Sequence, residues 1–360
     1  PQDPLRPTFG NIATCPNGDP PARAKEGTQD VPRRQARGLG QPAWLPCLTM
    51  SVTVVGSIAF DAVKTPFGER PKMLGGAAVH FALAASFFDA IRVVGPVGDD
   101  WTDAEETVLL DRGVITDDIE HVPGGRTFFW AGEYGWDLND RETLDTQLGV
   151  FEAFEPKLSE ASREADVLFL ANIQPDLQRA VRAQVPGARF VALDSMNLWI
   201  DIAKDSLVKA ISEVDCLILN DAELRQLTGA PNLIRAAQEL LTWGPKAIIA
   251  KQGEYGAAAL TDEGFFSLPA FPLADVHDPT GAGDTFAGGL VGYVAAHPDE
   301  PVGLELLSRA MAYGTALASF NVEEFGTERV ARLTAAEISA RVSELAKITH
   351  FEDRPLVLRR

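Results

Sequence analysis

Seven consecutive residues carry the densest chemical information in this chain: Asp278-Pro279-Thr280-Gly281-Ala282-Gly283-Asp284, followed by the apolar-periodic run Thr285-Phe286-Ala287-Gly288-Gly289-Leu290. Two glycines without Cβ bulk directly before a helix let backbone N–H groups converge on an anion, and the positive end of the helix dipole favours negative charge there. Gly281, Ala282 and Gly283 are therefore candidates for an anion hole. Asp284 falls in the first helical turn, beside wherever that anion rests, where it could accept the proton of an attacking alcohol. The competing reading is a plain glycine-rich loop whose aspartate stabilises a helix N-terminus. A dinucleotide fingerprint is excluded, because the third glycine of G-x-G-x-x-G is replaced by Phe286, and with it a dehydrogenase loses its support.

The stretch DPTGAGDTFAGG resembles the C-terminal signature of the ribokinase-like (PfkB) kinases, in which the last aspartate of the motif is the catalytic base. By that resemblance Asp284 takes the base role, the amides of Gly281, Ala282 and Gly283 face the transferred phosphoryl group, and Asp278 with Thr280 lies near a monovalent-cation site, K⁺ being the candidate. Upstream, Leu219-Asn220-Asp221-Ala222-Glu223 is similar to the family's N-x-x-E motif near Mg²⁺ and the nucleotide phosphates. A carboxylate at Glu223 would hold Mg²⁺ through water, since this small cation keeps several waters on protein. Asn220 and Glu223 also have the spacing of a capping box, and both roles can coexist. Lys251-Gln252-Gly253-Glu254-Tyr255-Gly256 resembles the nucleotide-side loop, with Gly253 at matching spacing and Lys251 either within reach of an ATP phosphate or a solvated strand-end lysine.

At the other end of the chain, Asp61 follows Gly56 by five residues and Gly75-Gly76 opens a helix; the corresponding residues of the family contact substrate hydroxyls. Taken alone, these are a turn aspartate and a tight helix entry. One departure stands out. The family pattern usually carries Asn four residues after the second glycine, where this chain has His80, a residue type that on such a helix is more often packed core than ligand. The likeness runs from Val52 to Gly326, with the adenine expected near Ala318 to Gly326.

Elements of the right kind surround these motifs. Ser51 to Asp61 reads as one buried strand, and from there short apolar runs alternate with helical ones: Ala77 to Phe88, Ile91 to Val97, Thr102 to Arg112, Val167 to Ala171, Pro175 to Ala183 and Phe190 to Asp194. The rhythm continues through Cys216 to Leu219, Ala222 to Thr228, Leu233 to Trp243, Ala247 to Ala250, Ala282 to Ala296 and Leu304 to Ser319. Such alternation means a mostly parallel sheet covered by helices on both faces. Val122 to Val150 breaks it, being rich in Thr, aromatics and Gly without a helical period, and with Val63 to Leu74 it forms a separate β layer. The expected fold is a ribokinase-like three-layer α/β/α sandwich with a small β-sheet lid, over residues 50–350.

Composition bounds the partners. The 360 residues are 46% apolar and 23% charged, enough for a large core. A formal charge of −19 repels phosphate backbones and anionic membranes, so neither nucleic acid nor membrane is an expected partner. No apolar run approaches a bilayer span and no export segment is visible, which makes a cytoplasmic enzyme the expectation. Cys15, Cys47 and Cys216 are too scattered for a disulfide framework or metal site. Pro1 to Leu48 holds nine of the 24 prolines without any period, so a disordered, dispensable leader over residues 1–49 is expected, with Met50 as the natural start and 351–360 as a tail.

The function implied is ATP- and Mg²⁺-dependent phosphorylation of a hydroxyl on a small sugar-type acceptor. The alternative inside the fold is a nucleoside kinase, because Phe128, Phe129, Trp130, Tyr134 and Trp136 could stack on a base as readily as on a sugar, or simply fill the lid or a homodimer interface through it. A nucleotide-binding regulator without transfer activity is the reading from another class, and it has no need of Asp284.

Overall fold

The computed structural model describes residues 51–352 apart from residue 140; the leader and Met50, and all of the tail beyond residue 352, lie outside the described residues. In chain order the strands are β1 (Val52–Val55), β2 (Ala59–Thr65), β3 (Gly68–Gly75), β4 (Ile91–Val97), β5 (Ile115–His121), β6 (Phe128–Tyr134) and β7 (Arg141–Gln147). They continue with β8 (Val167–Leu170), β9 (Phe190–Asp194), β10 (Cys216–Asn220), β11 (Ala247–Lys251), β12 (Ala257–Thr261) and β13 (Gly264–Leu268). Nine of them form one sheet in the order β13-β12-β11-β10-β9-β8-β1-β4-β5, and four form a second sheet, β3-β2-β6-β7. The large sheet is parallel from β11 to β5, with β12 and β13 added antiparallel at one edge.

Side chains of each parallel strand alternate between two cores, as the two-residue strand period requires. Val52 and Val54 join one core, beneath the helices Ala77–Ala85, Ala282–Ala295 and Leu304–Asn321. Val55, Leu168 and Leu217 join the other, beneath Pro175–Gln184, Lys204–Ile211, Asp221–Thr228 and Leu233–Leu241. The three-layer sandwich is thereby built. On the first face the helices pack backbone to backbone: a Cβ at Gly288 would lie 2.3 Å from Phe81 O, and one at Gly289 2.8 Å from Gly314 Cα. The paired glycines after the anion-loop motif therefore serve helix packing.

The run from Ser51 to Asp61 is two strands, not one. After Val55 the chain leaves the large sheet because Ser57 turns to cap the next helix, its Oγ accepting from Ala77 N at 3.1 Å and its carbonyl from Ala78 N at 3.0 Å. It resumes as β2 in the small sheet, which places Asp61 inside a lid strand and not at a strand end. The two segments expected to form a separate layer do so, as the β2–β3 hairpin and the β6–β7 hairpin joined by parallel β2–β6 pairing. Sequence patterning did not indicate β5, the β12–β13 hairpin, the helices Asn197–Ile202 and Lys204–Ile211, or the last helix, Ala335–Thr349. Among the described residues no helix is long and apolar enough to cross a membrane, and Cys216 is buried and unbridged.

Candidate active site

Three neighbouring strands of the large sheet end at one edge with chemistry-bearing residues: β9 at Asp194, β10 at Asn220 and β11 at Lys251, the last two in register. Ligands of open α/β sheets bind beyond these carboxyl ends. Asn220 and Glu223 form a full capping box, with Asn220 Oδ1 accepting from Glu223 N at 2.7 Å and Glu223 Oε2 accepting from Asn220 N at 2.9 Å. The cap holds the glutamate carboxyl toward Lys251, whose charge it feels. Lys251 Nζ in turn donates to Asp194 Oδ2 at 2.7 Å.

The Asp278–Asp284 loop closes the site from the opposite side. Gly281 is the N-cap of the Ala282–Ala295 helix, with φ +73° and no side-chain cap, a left-handed conformation that favours glycine. Ala282 N donates to Pro279 O at 3.2 Å and Thr285 N to Gly281 O at 2.8 Å. Gly283 and Asp284 lie in the first turn, where backbone N–H groups have no intrahelical carbonyl to bond, and the Asp284 carboxyl is itself hydrogen-bonded to the Asp284 backbone. A Cβ on Gly283 would lie 3.2 Å from Lys251 Nζ, so the ammonium stands directly beside Gly283. Asp278 is fully buried and braces the loop, its Oδ1 accepting from Thr280 N and its Oδ2 from Gly326 N, each at 2.9 Å. Among the described residues no group of three or more His, Cys, Asp or Glu is placed to hold a metal ion.

The lid reaches this loop. Thr280 Oγ1 donates to the Tyr134 hydroxyl at 3.2 Å, and Thr65 Oγ1 donates to His277 O at 2.9 Å. Asp61 lies on the lid side of the cleft, so tightly against Gly75 that a Cβ there would sit 1.9 Å from its Oδ2. Gly76, at φ +95°, presses on the backbone of Ser57 and Ala59. Asp61, Gly75 and Gly76 are thus one compact group, and Asp61 is close enough to Asp284 to feel its charge.

Electrostatics divide the carboxylates. Burial raises the Asp284 carboxyl above the usual range, while Lys251 and Arg141 pull it back down. Burial likewise pushes Asp194 up to about 6, opposed by Lys251 and reinforced by Asp284, and it also raises Glu223. Burial works against the charge of Lys251, but Asp194, Glu223 and Asp284 outweigh it and keep the ammonium above its ordinary value. Asp61 rises to about 7 through burial and then the charge of Asp278.

A cavity of about 500 Å³ adjoins Lys251, Gly253 and Gly283 and runs out along Phe271, Val276 and Val322. Its lining combines Gly283 and Lys251 with apolar side chains such as Leu273 and Phe286 and with the polar Asp137 and Asn139. Ala318, Ser319 and Val322 of the expected adenine segment line it. Of the residues expected from sequence, Lys251, Gly253, Ala282 and Gly283 line this cavity, whereas Glu223 is tied to it through the charge of Lys251 and Asp61, beside Gly75 and Gly76, through the charge of Asp284. Two residues were missed. Asp194 had a visible signal, a carboxylate closing an apolar strand, whereas Arg141 had none, because only the register Tyr134↔Arg141 brings its guanidinium near the site.

A family model, the pfkB family carbohydrate kinases, matches residues 51–332. The chain belongs to that family. This PfkB-family kinase is accordingly a phosphotransferase with an alcohol group as acceptor. It is 30% identical over 263 residues to the cytidine kinase of Thermococcus kodakarensis, covering 70% of this chain and 91% of the relative. Its fold is that of the Burkholderia thailandensis nucleoside kinase in complex with inosine, with TM-score 0.67 and 19% identity over 81% of this chain and 97% of that one. It is also that of a ribokinase II from E. coli in complex with ATP and Mg²⁺, with TM-score 0.66 and 19% identity over 82% and 99%.

Proposed function

We propose that this kinase transfers the γ-phosphoryl group of ATP to a hydroxyl of a nucleoside, with Asp284 as general base. The observation that carries the chemistry is that the Lys251 ammonium stands beside Gly283 at the start of the helix and is near enough to the Asp284 carboxyl for its charge to lower it. As the acceptor oxygen bonds to the γ-phosphorus, the bond from phosphorus to the β,γ-bridging oxygen breaks and its electron pair leaves with ADP. Asp284 takes the acceptor's proton, while the amides and Lys251 meet the charge that spreads over the equatorial oxygens.

Asp61, with Gly75 and Gly76 leaving room for close approach, would bind the other acceptor hydroxyls. Mg²⁺ fits the opposite end, where buried Glu223 and Asp194 gain from a counter-ion; bound there through water, it would neutralise phosphate charge. A monovalent cation beside Asp278 and Thr280 belongs to the same proposal, since each Asp278 oxygen accepts one backbone N–H and keeps a lone pair.

For the acceptor, the supporting observation is the likeness to a cytidine kinase across most of that protein's length. The lid aromatics argue less for a base platform than their number suggests. Phe128 packs on Phe151, Trp136 is 79% exposed and stacks on Phe67, and the Tyr134 hydroxyl is held by Thr280. ADP release should be measured with cytidine, uridine, inosine and adenosine against ribose, fructose and sugar phosphates, each in KCl and in tetramethylammonium chloride. A nucleoside should exceed every sugar at least tenfold in kcat/KM, about 1.4 kcal/mol of discrimination. A sugar preferred by that margin overturns the nucleoside reading, and equal rates in the two salts overturn the cation.

A further inference from the structure

His80, the residue that departs from the family pattern, is 2% exposed and sits directly behind the anion loop. A Cβ at Gly281 would lie 2.3 to 2.4 Å from its Cε1, Nδ1 and Nε2, so the edge of the imidazole rests against Gly281 itself. Its Nδ1 is 3.1 Å from Asn321 Oδ1, and Asn321 is fully buried in the Leu304–Asn321 helix. The same Oδ1 accepts from Thr285 Oγ1 at 3.0 Å, while Asn321 Nδ2 donates to Thr280 O at 2.8 Å. With the amide nitrogen committed to a carbonyl, Oδ1 is the acceptor, and Nδ1 of His80 is the donor.

We propose that His80 is a positioning residue for phosphoryl transfer, fixing the Gly281–Asp284 turn through its contact with Gly281 and through Asn321. The ring and Asn321 together hold residues 280, 281 and 285, which bracket the Gly283 and Asp284 amides on both sides. Because His80 belongs to the Ala77–Ala85 helix, which starts at Gly76, one side chain ties the acceptor-side entry to the phosphoryl-side loop. A second observation separates this from simple filling of space: His80 Nε2 is buried without a hydrogen-bond partner. An apolar side chain would avoid that cost, so the imidazole is held in place for what Nδ1 and the ring edge do.

The proposal rests on the anion-hole reading given above. His80→Leu removes the donor at comparable volume, and His80→Asn keeps a short donor. Calorimetric MgATP affinity and melting temperature need no acceptor; turnover is read as ADP release, both with cytidine and as the acceptor-independent hydrolysis of MgATP. His80→Leu should lower kcat about 30- to 100-fold, the scale of a misplaced reacting group, while MgATP affinity stays within about threefold. His80→Asn should recover most of that loss. If the leucine variant fails to fold, Asn321→Ser, which breaks the same chain one link further on, must give the same pattern. A folded leucine variant with near-normal kcat, or an asparagine variant as impaired as leucine, overturns the proposal. A loss confined to the acceptor KM also overturns it, by making His80 an acceptor contact. An active Asp284→Asn enzyme instead removes the general base that the turn is held to position, which keeps failure of the underlying reading apart from failure of the His80 role.

Discussion

The two ends of the cleft each present a buried aspartate, and their surroundings differ. On the phosphoryl side, Asp284 shares Lys251 with Asp194 and Glu223, and the lysine opposes what burial does to each carboxyl. On the acceptor side, Asp61 faces Asp278 and Asp284 as well as its own desolvation, with Arg141 the cation that opposes them, and it rises to about 7. The side chain is the same, and the balance of nearby charge assigns its task. The base proposed at Asp284 needs its ionised form, and the lysine beside it opposes the rise that burial causes. A carboxyl poised near neutrality can accept a hydroxyl proton in a hydrogen bond or donate one, which suits Asp61 to holding a polyhydroxylated acceptor.

Asp284→Asn breaks the phosphoryl end most directly. The amide keeps the shape and leaves the Gly283 amide and Lys251 in place, but it cannot take a proton. We expect kcat to fall about 10²- to 10⁴-fold with MgATP affinity almost unchanged. Near-normal turnover in a variant of unchanged melting temperature would reduce Asp284 to a helix-terminus carboxylate, and the contrast between the two aspartates would lose its basis.

How much of this contrast could be read beforehand follows from where each residue gets its position. Asp284, Gly281 and Gly283 are fixed by a contiguous loop entering a helix, and Asn220 and Glu223 by a four-residue cap, so local spacing sufficed. The strand rhythm gave the sandwich and the separate lid for the same reason. Asp61 was placed on the right group of residues but the wrong element, because the break after Val55 depends on Ser57 capping a helix that starts twenty residues later. Asp194 closes an apolar strand visibly, but its pairing with Lys251 depends on how β9, β10 and β11 lie side by side, and Arg141 needed the β6–β7 register. The β12–β13 hairpin is short and edge-placed, and its alternation is too brief to distinguish from a loop.

Lys251→Met tests the same end more finely. It removes the ammonium beside Gly283 while keeping an unbranched side chain of similar reach. Loss of one donor to the developing charge should cost about 10²-fold in kcat. The pH profile carries the sharper signal. With the cation gone, the pull that lowers Asp284 and Asp194 disappears, so both carboxyls titrate at higher pH. The acid limb of kcat, where the base becomes protonated, should therefore move toward neutral pH. A limb that stays where it is in the wild-type enzyme would show that Lys251 does not govern the base.

Asp61→Asn acts on the other end and should have the smallest effect on rate. The acceptor KM should rise about tenfold, the scale of a weakened charge-assisted hydrogen bond, with kcat and MgATP affinity little changed. Stability should move in the opposite direction. The folded-state carboxyl titrates at about 7 and the unfolded one at the ordinary 3.8. Between those values the unfolded chain has already lost a proton that the folded protein still holds, so wild-type stability falls as pH rises from about 4 to 7 and then levels off. The asparagine variant has no such titration. Its stability relative to wild type should thus grow across that window, reaching roughly 2 to 4 kcal/mol above pH 7, three pKa units being worth about 4 kcal/mol before any loss from an imperfectly bonded amide. Chemical denaturation of both proteins at pH 4.5 and pH 8 measures the difference. A gap that fails to widen with pH would mean that Asp61 is ionised throughout, and that the acceptor end is electrostatically like the phosphoryl end after all.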